Sequence, residues 1–181
     1  MERKDVFKIS VMALLVVFVF IGSSPVQGKE AFKETFGTEE IKPFTGEGAN
    51  NPWTVTGETM ELRGQGEADH TGDGVGIEAK ATENLTDTML ETVVDARGAS
   101  GYVEFWIKIT DAQDSGGWAF QVDSGSGFVT KLKKEKAEQA DWEQFHYDLQ
   151  KGELIENLKI RFQFNHQPER ACLDDIIVVV K

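Results

Sequence analysis

A single cysteine, Cys172, among 181 residues excludes an intrachain disulfide, so the fold must rest on its apolar core or on a metal. Histidine is as scarce: His70, His146 and His166 are the whole supply, and neither a Ser–His pairing nor a zinc-ligand spacing can be assembled from them. Positive charge is short too, with 19 Lys and Arg against 31 Asp and Glu and a net charge of −12. A field of that sign repels phosphate backbones and anionic lipid, which makes nucleic acid and membrane surfaces poor partners and leaves cations and neutral polymers as better ones. No internal repeat or low-complexity linker divides the chain.

Long apolar runs are missing as well, with one exception at the N-terminus. "MERKDVFK" is charged, "ISVMALLVVFVFI" is apolar for about 13 residues, and "SSPVQG" places Val26 and Gly28 at the −3 and −1 positions before Lys29. The run is short for a bilayer span. Residues 1–28 therefore read as a removed secretory signal, and residues 29–181 as one exported domain, secreted or periplasmic, with no membrane insertion after cleavage. The leader takes three of the 19 basic and two of the 31 acidic residues with it, leaving 16 against 29 and a net charge of −13. Asn84 opens an "NLT" sequon, which only a eukaryotic secretory route would glycosylate.

What is present in the domain is a series of short runs rich in β-branched and aromatic residues, cut by Gly, Ser, Asp and Asn clusters. "WTVT", "TMELRG", "GVGIEAKAT", "TMLETVVDA", "YVEFWIKIT", "GWAFQVD", "GFVTKL", "WEQFHYDL", "LKIRFQFN" and "CLDDIIVVV" predict an all-β, two-sheet antiparallel sandwich. The charged stretch "KLKKEKAEQADWEQ" shows no apolar stripe and is expected to be a solvated loop or a single turn. Alternation sorts the faces. Val103, Phe105, Ile107 and Ile109 share one, as do Trp118, Phe120 and Val122, then Phe145, Tyr147 and Leu149, and lastly Leu158, Ile160, Phe162 and Phe164. Trp106 falls opposite its apolar neighbours, and leaving an indole in water forgoes roughly 1.5–3 kcal/mol of burial, so a loop, a partner or a ligand should cover it.

The order "NPWTVTGE", "YVEFWIKI", "GGWAFQVDSGSGF", "WEQFHYDL" and "LKIRFQFN…CLDDIIV" resembles the β-sandwich jelly rolls of MAM-like and carbohydrate-binding-module type, the galactose-binding-like group among them. The resemblance implies a jelly-roll fold for nearly the whole mature chain. It also implies a structural calcium site, shared by a final-strand aspartate and an acidic residue near the first strand. The matching final-strand positions are Asp174 and Asp175; the chain departs from the first-strand "FE" pattern with "KETFGTEE", so Glu34, Glu39 or Glu40 would substitute. On alternation, one of the two aspartates faces the sandwich edge and the other points out.

Sugar recognition needs flat rings for the apolar faces of a pyranose and planar hydrogen-bonding groups for its hydroxyls. Tyr102 and Trp106 on one strand face supply rings, and Gln121, His146, Arg161 and Gln163 supply polar groups on others. Three readings stay open: non-catalytic glycan binding, a structural or adhesive role toward a cell-surface protein, and a glycan-active enzyme. The last lacks an alternating-carboxylate strand of the "ExDxxE" kind.

Overall fold

The computed structural model describes residues 28–36, 42–44, 46, 52–57, 60–63, 69–70, 72, 76–80, 87–112, 117–135, 139–165 and 168–181. The expected signal, Glu39, Glu40, Asn84 and His166 lie outside them, except for Gly28 at the signal's end.

Among the described residues twelve strands run in chain order: β1 Lys29–Glu34, β2 Lys42–Phe44, β3 Thr54–Thr56, β4 Met60–Arg63, β5 Gly76–Lys80, β6 Thr88–Val94, β7 Gly101–Ala112, β8 Gly117–Asp123, β9 Val129–Glu135, β10 Gln139–Asp148, β11 Leu158–Asn165 and β12 Pro168–Val180. One 3-10 turn, Lys151–Glu153, links β10 to β11. The strands form two antiparallel sheets packed as a sandwich. One has seven strands in the order β10-β7-β12-β5-β4-β2, with β1 also on β12; the other has five in the order β3-β6-β11-β8-β9.

The expected in-facing residues meet between the sheets. Val103, Phe105, Ile107 and Ile109 are buried from β7, Leu158, Ile160, Phe162 and Phe164 from β11, and Trp118, Phe120 and Val122 from β8. Phe105 is the centre, edge-on to Trp118 at 5.8 Å and to Phe162 at 4.9 Å, and stacked on Phe145 at 5.7 Å. Each such side chain contributes about 1.5–3 kcal/mol of burial, which lets the domain do without a disulfide. Cys172 is buried and reduced within β12.

Of the charged stretch expected to be a loop, residues 131–135 are instead the end of β9 and residues 139–144 the start of β10. These are edge strands of opposite sheets, and edge strands carry charge rather than an apolar stripe because charge discourages edge-to-edge pairing. Lys134 Nζ on β9 reaches Glu143 Oε2 on β10 at 2.8 Å. The 3-10 turn closes the same side. Buried Glu153 accepts from Lys131 Nζ at 2.7 Å, from the Tyr147 hydroxyl at 2.9 Å and from the Gln150 N–H at 2.9 Å, so one carboxylate ties β9, β10 and the turn together.

β12 changes partner along its length. Arg170–Leu173 pair with β5, while residues 176–180 pair with β1. The change falls at a bulge against β7, between Asp174 opposite Trp106 and Ile177 opposite Glu104, and Asp175 takes a left-handed φ of 48° to make it.

Candidate functional site

The bulge overturns the expectation that one of Asp174 and Asp175 points out: both are buried, because the extra residue breaks the alternation on which that expectation rests. They converge on His70, whose backbone N–H donates to Asp174 Oδ2 at 2.9 Å and whose ring Nδ1 lies 2.8 Å from Asp175 Oδ2. The Asp175 N–H donates in turn to Asp174 Oδ1 at 2.8 Å. Glu34 is elsewhere occupied, accepting from the Phe36 N–H at 2.9 Å and from Trp53 Nε1 at 3.2 Å. Calcium takes six to eight oxygens, whereas these carboxylates are met by N–H donors, and among the described residues no three His, Cys, Asp or Glu side chains gather as a metal cage.

His70 also supplies the cover that Trp106 requires. Its ring stacks on the indole at 3.8 Å and 20°, and meets Trp142 edge-on at 5.5 Å. Nearby on the same outer face, Tyr102 stacks on His146 at 4.9 Å. Each of the two rings expected to form a sugar platform therefore has one face taken by an imidazole of the protein.

The six expected ligand-binding residues do not form one site. Tyr102 and Trp106 on β7 and His146 on β10 belong to the seven-stranded sheet, and Gln121 on β8 with Arg161 and Gln163 on β11 belong to the five-stranded one. The outer faces of a sandwich look in opposite directions, and strand alternation separates inside from outside without saying which sheet a strand joins.

The five-stranded sheet holds a continuous polar row. Across it, Thr130, Gln121, Arg161, Glu91 and Thr54 lie side by side in register on five successive strands. Gln121 Nε2 donates to Thr130 Oγ1 at 3.2 Å and to Gln163 Oε1 at 3.0 Å, and Gln163 Nε2 passes the chain to Asp87 Oδ2 at 2.7 Å. Arg161 Nη2 donates to Glu91 Oε2 at 2.9 Å, and its guanidinium lies 3.4 Å from the centre of the Phe128 ring. Gln121 Oε1 is buried and has no hydrogen-bond partner among the described residues.

Phe128 escaped the sequence reading, although the turn run "DSGSG" before it was a signal. Asp123 Oδ1 accepts from the N–H groups of Gly125 at 2.7 Å and Gly127 at 2.9 Å, and those two bonds hold its carboxyl below the ordinary carboxylate range. Both glycines have left-handed φ, 110° and 100°, so the turn delivers Phe128 to the end of the sheet beside Arg161. Val129 at 51% and Val93 at 48% are the exposed large hydrophobics among the described residues. Val93 on β6 is outward, opposite Lys159, so apolar surface borders the polar row, whereas Val129 on β9 pairs with the inward-facing Val122.

No family model matches the sequence, and no curated protein does. Solved structures do. The chain is similar to a family 61 carbohydrate-binding module in complex with β-1,4-galactotriose, at a TM-score of 0.62 and 16% identity over 84% of this chain and 99% of that one. It is similar to the K1 cleaved adhesin domain of Lys-gingipain from Porphyromonas gingivalis, at 0.59 and 16% over 83% and 98%. A family 22 xylan-binding domain from Paenibacillus barcinonensis matches at 0.57 and 13% over 85% and 96%. At such identities the likeness establishes the β-sandwich fold.

Proposed function

We propose that this chain is a non-catalytic binding module for a neutral glycan, which it holds across the outer face of the five-stranded sheet. The observation that carries the reading is the row itself, with Thr130, Gln121, Arg161, Glu91 and Thr54 in register on five successive strands of one outer face. The row spans five strands, four gaps of about 4.8 Å, or roughly 19 Å, long enough for several sugar units in line. Phe128 and Val93 offer apolar contact beside the row, while Gln163, Asp87, Glu91 and Thr130 offer donors and acceptors along it.

A neutral ligand follows from the charges. Arg161 is already paired with Glu91, and the overall charge of −12 repels polyanions. Two of the similar structures are described as a module in complex with β-1,4-galactotriose and as a xylan-binding domain, which supports a glycan ligand here. On the reading of residues 1–28 as a removed leader, the module works outside the cytoplasm.

Glycan-array screening followed by calorimetry tests it. Gln121→Ala and Arg161→Ala should each weaken binding by about 1–3 kcal/mol, and Trp106→Ala, on the other sheet, should not. Binding lost in Trp106→Ala but kept in Gln121→Ala would reject the assignment to this face.

A further inference from the structure

The opposite sheet carries a surface that glycan binding leaves unused. β10 ends the seven-stranded sheet, and no strand among the described residues pairs with its far edge, which leaves a row of backbone N–H and C=O groups on that side. Of its side chains, Phe145 and Tyr147 pack against the core and Glu143 reaches Lys134. The opposite set, Trp142, Gln144, His146 and Asp148, lies on the outer face, and the last three are exposed. Glu104 and Tyr102 stand behind them on β7, opposite His146 and Asp148.

His146 sits between two carboxylates. Its Nδ1 is 2.9 Å from Glu104 Oε1 and its Nε2 is 3.1 Å from Asp148 Oδ1. Only the doubly protonated ring can donate to both, so this pair of acids is built around one positive charge. When the ring is neutral, one nitrogen turns a lone pair toward a carboxylate, and the position calls for a cation from outside. Asp148, 82% exposed, is the acid that an incoming cation reaches first.

We propose that the free edge of β10, with the outer face it shares with β7, is a docking surface for an extended basic segment of another polypeptide, added as a further strand. Pairing along the edge would set alternate side chains of that segment about 4.5–5.5 Å from Gln144, His146 and Asp148, where Lys or Arg meets Asp148 and Glu104. A second copy of this chain is a poor occupant, since it would bring together two β10 strands that each carry Asp141, Glu143 and Asp148. A sugar chain has no backbone amides with which to complete the edge.

The charge on His146 sets the pH dependence. The groups that face it are Glu104 and the Tyr102 ring from β7 and Asp148 from its own strand. Hydrogen bonding to Glu104 first, and to Asp148 after it, holds its pKa above the ordinary imidazole range. Below that value the imidazolium already satisfies both acids. Above it they are open, so a basic segment binds more tightly as pH rises through the folded His146 pKa.

The test uses the protein and an eight-residue peptide of alternating Lys and Thr, with binding read by calorimetry at low salt. The peptide should bind at about pH 8.5 and about two- to fivefold more weakly near pH 5.5, and Asp148→Asn or Glu104→Gln should each weaken binding at the higher pH by a similar factor. Replacing Lys by Glu, or methylating alternate backbone nitrogens, should abolish it. Equal binding of the methylated peptide would overturn strand addition, and equal binding at both pH values would overturn the role of His146. No binding at either pH, or binding of an amino-sugar oligomer of equal charge in place of the peptide, would overturn the proposal as a whole.

Discussion

Glu153→Gln removes one charge from the clamp that joins the two sheets at their β9 and β10 edges, and changes little else. The carboxylate is buried and its ammonium partner, Lys131, is 20% exposed, with the Tyr147 hydroxyl on the other oxygen. Removing one member of a buried pair costs about 3–5 kcal/mol; the partial access of water to Lys131 reduces this, and about 2–3 kcal/mol is expected. In a domain of this length each kcal/mol lowers the melting temperature by about 2–4 °C, so the variant should melt about 4–12 °C lower by circular dichroism at neutral pH. The pH arm has a definite sign. Hydrogen bonding to Glu153 raises the Lys131 pKa, and burial followed by the bond to Glu153 raises that of Tyr147. Both groups therefore hold protons more tightly folded than unfolded, so the stability they contribute is intact below their ordinary values near 10 and is lost as pH rises through the folded ones. Wild type should lose stability steeply above about pH 10, and Glu153→Gln less steeply. A drop in melting temperature under about 2 °C would refute the argument, because it would mean that water screens the pair as it screens surface ions.

Asp175→Val should destabilise by more than about 1 kcal/mol, since a β-branched residue is strained at a φ of 48°, whereas Asp175→Gly should recover the backbone part of that loss; chemical denaturation separates the two. His70→Ala should uncover the Trp106 indole and red-shift its fluorescence, at a cost of about 1–2 kcal/mol for the lost carboxylate bond, and unchanged emission would place the cover elsewhere. Excess chelator should leave the melting temperature unmoved if N–H donors are the working partners of Asp174, Asp175 and Glu34; a fall of several degrees would instead show a bound calcium.

Much of the fold was legible because burial and alternation are coupled in a strand. Val103 to Ile109 on β7 and Leu158 to Phe164 on β11 point inward as expected, and Trp106 points outward under a cover. What escaped notice lacks that signal. β1 and β2 passed unrecognised, and β9 and β10, read as "GFVTKL" and "WEQFHYDL", extend further into "KLKKEKAEQADWEQ", where edge position favours charge over hydrophobicity. The candidate site was legible only residue by residue. Gln121, Arg161 and Gln163 do meet, but Tyr102, Trp106 and His146 belong to the other sheet, and that assignment depends on long-range pairing, such as β11 between β6 and β8, to which a period of two is blind.

The paired aspartates account for the difference between the faces. Had β12 stayed regular, Asp174 would stand beside Trp106 on an open surface and Asp175 would enter the apolar core. The bulge brings both carboxylates to His70, which lies over the indole, so the aromatic centre of the seven-stranded face is closed by the protein itself. On the other face Phe128 covers the Arg161 guanidinium at 3.4 Å, while Thr130 and Thr54 at the two ends of the row stay exposed. The two faces are thus prepared differently by one extra residue in the last strand. The closed one keeps only its β10 margin available, where acids and a free edge suit a basic chain, and the other keeps the planar polar groups that suit a sugar.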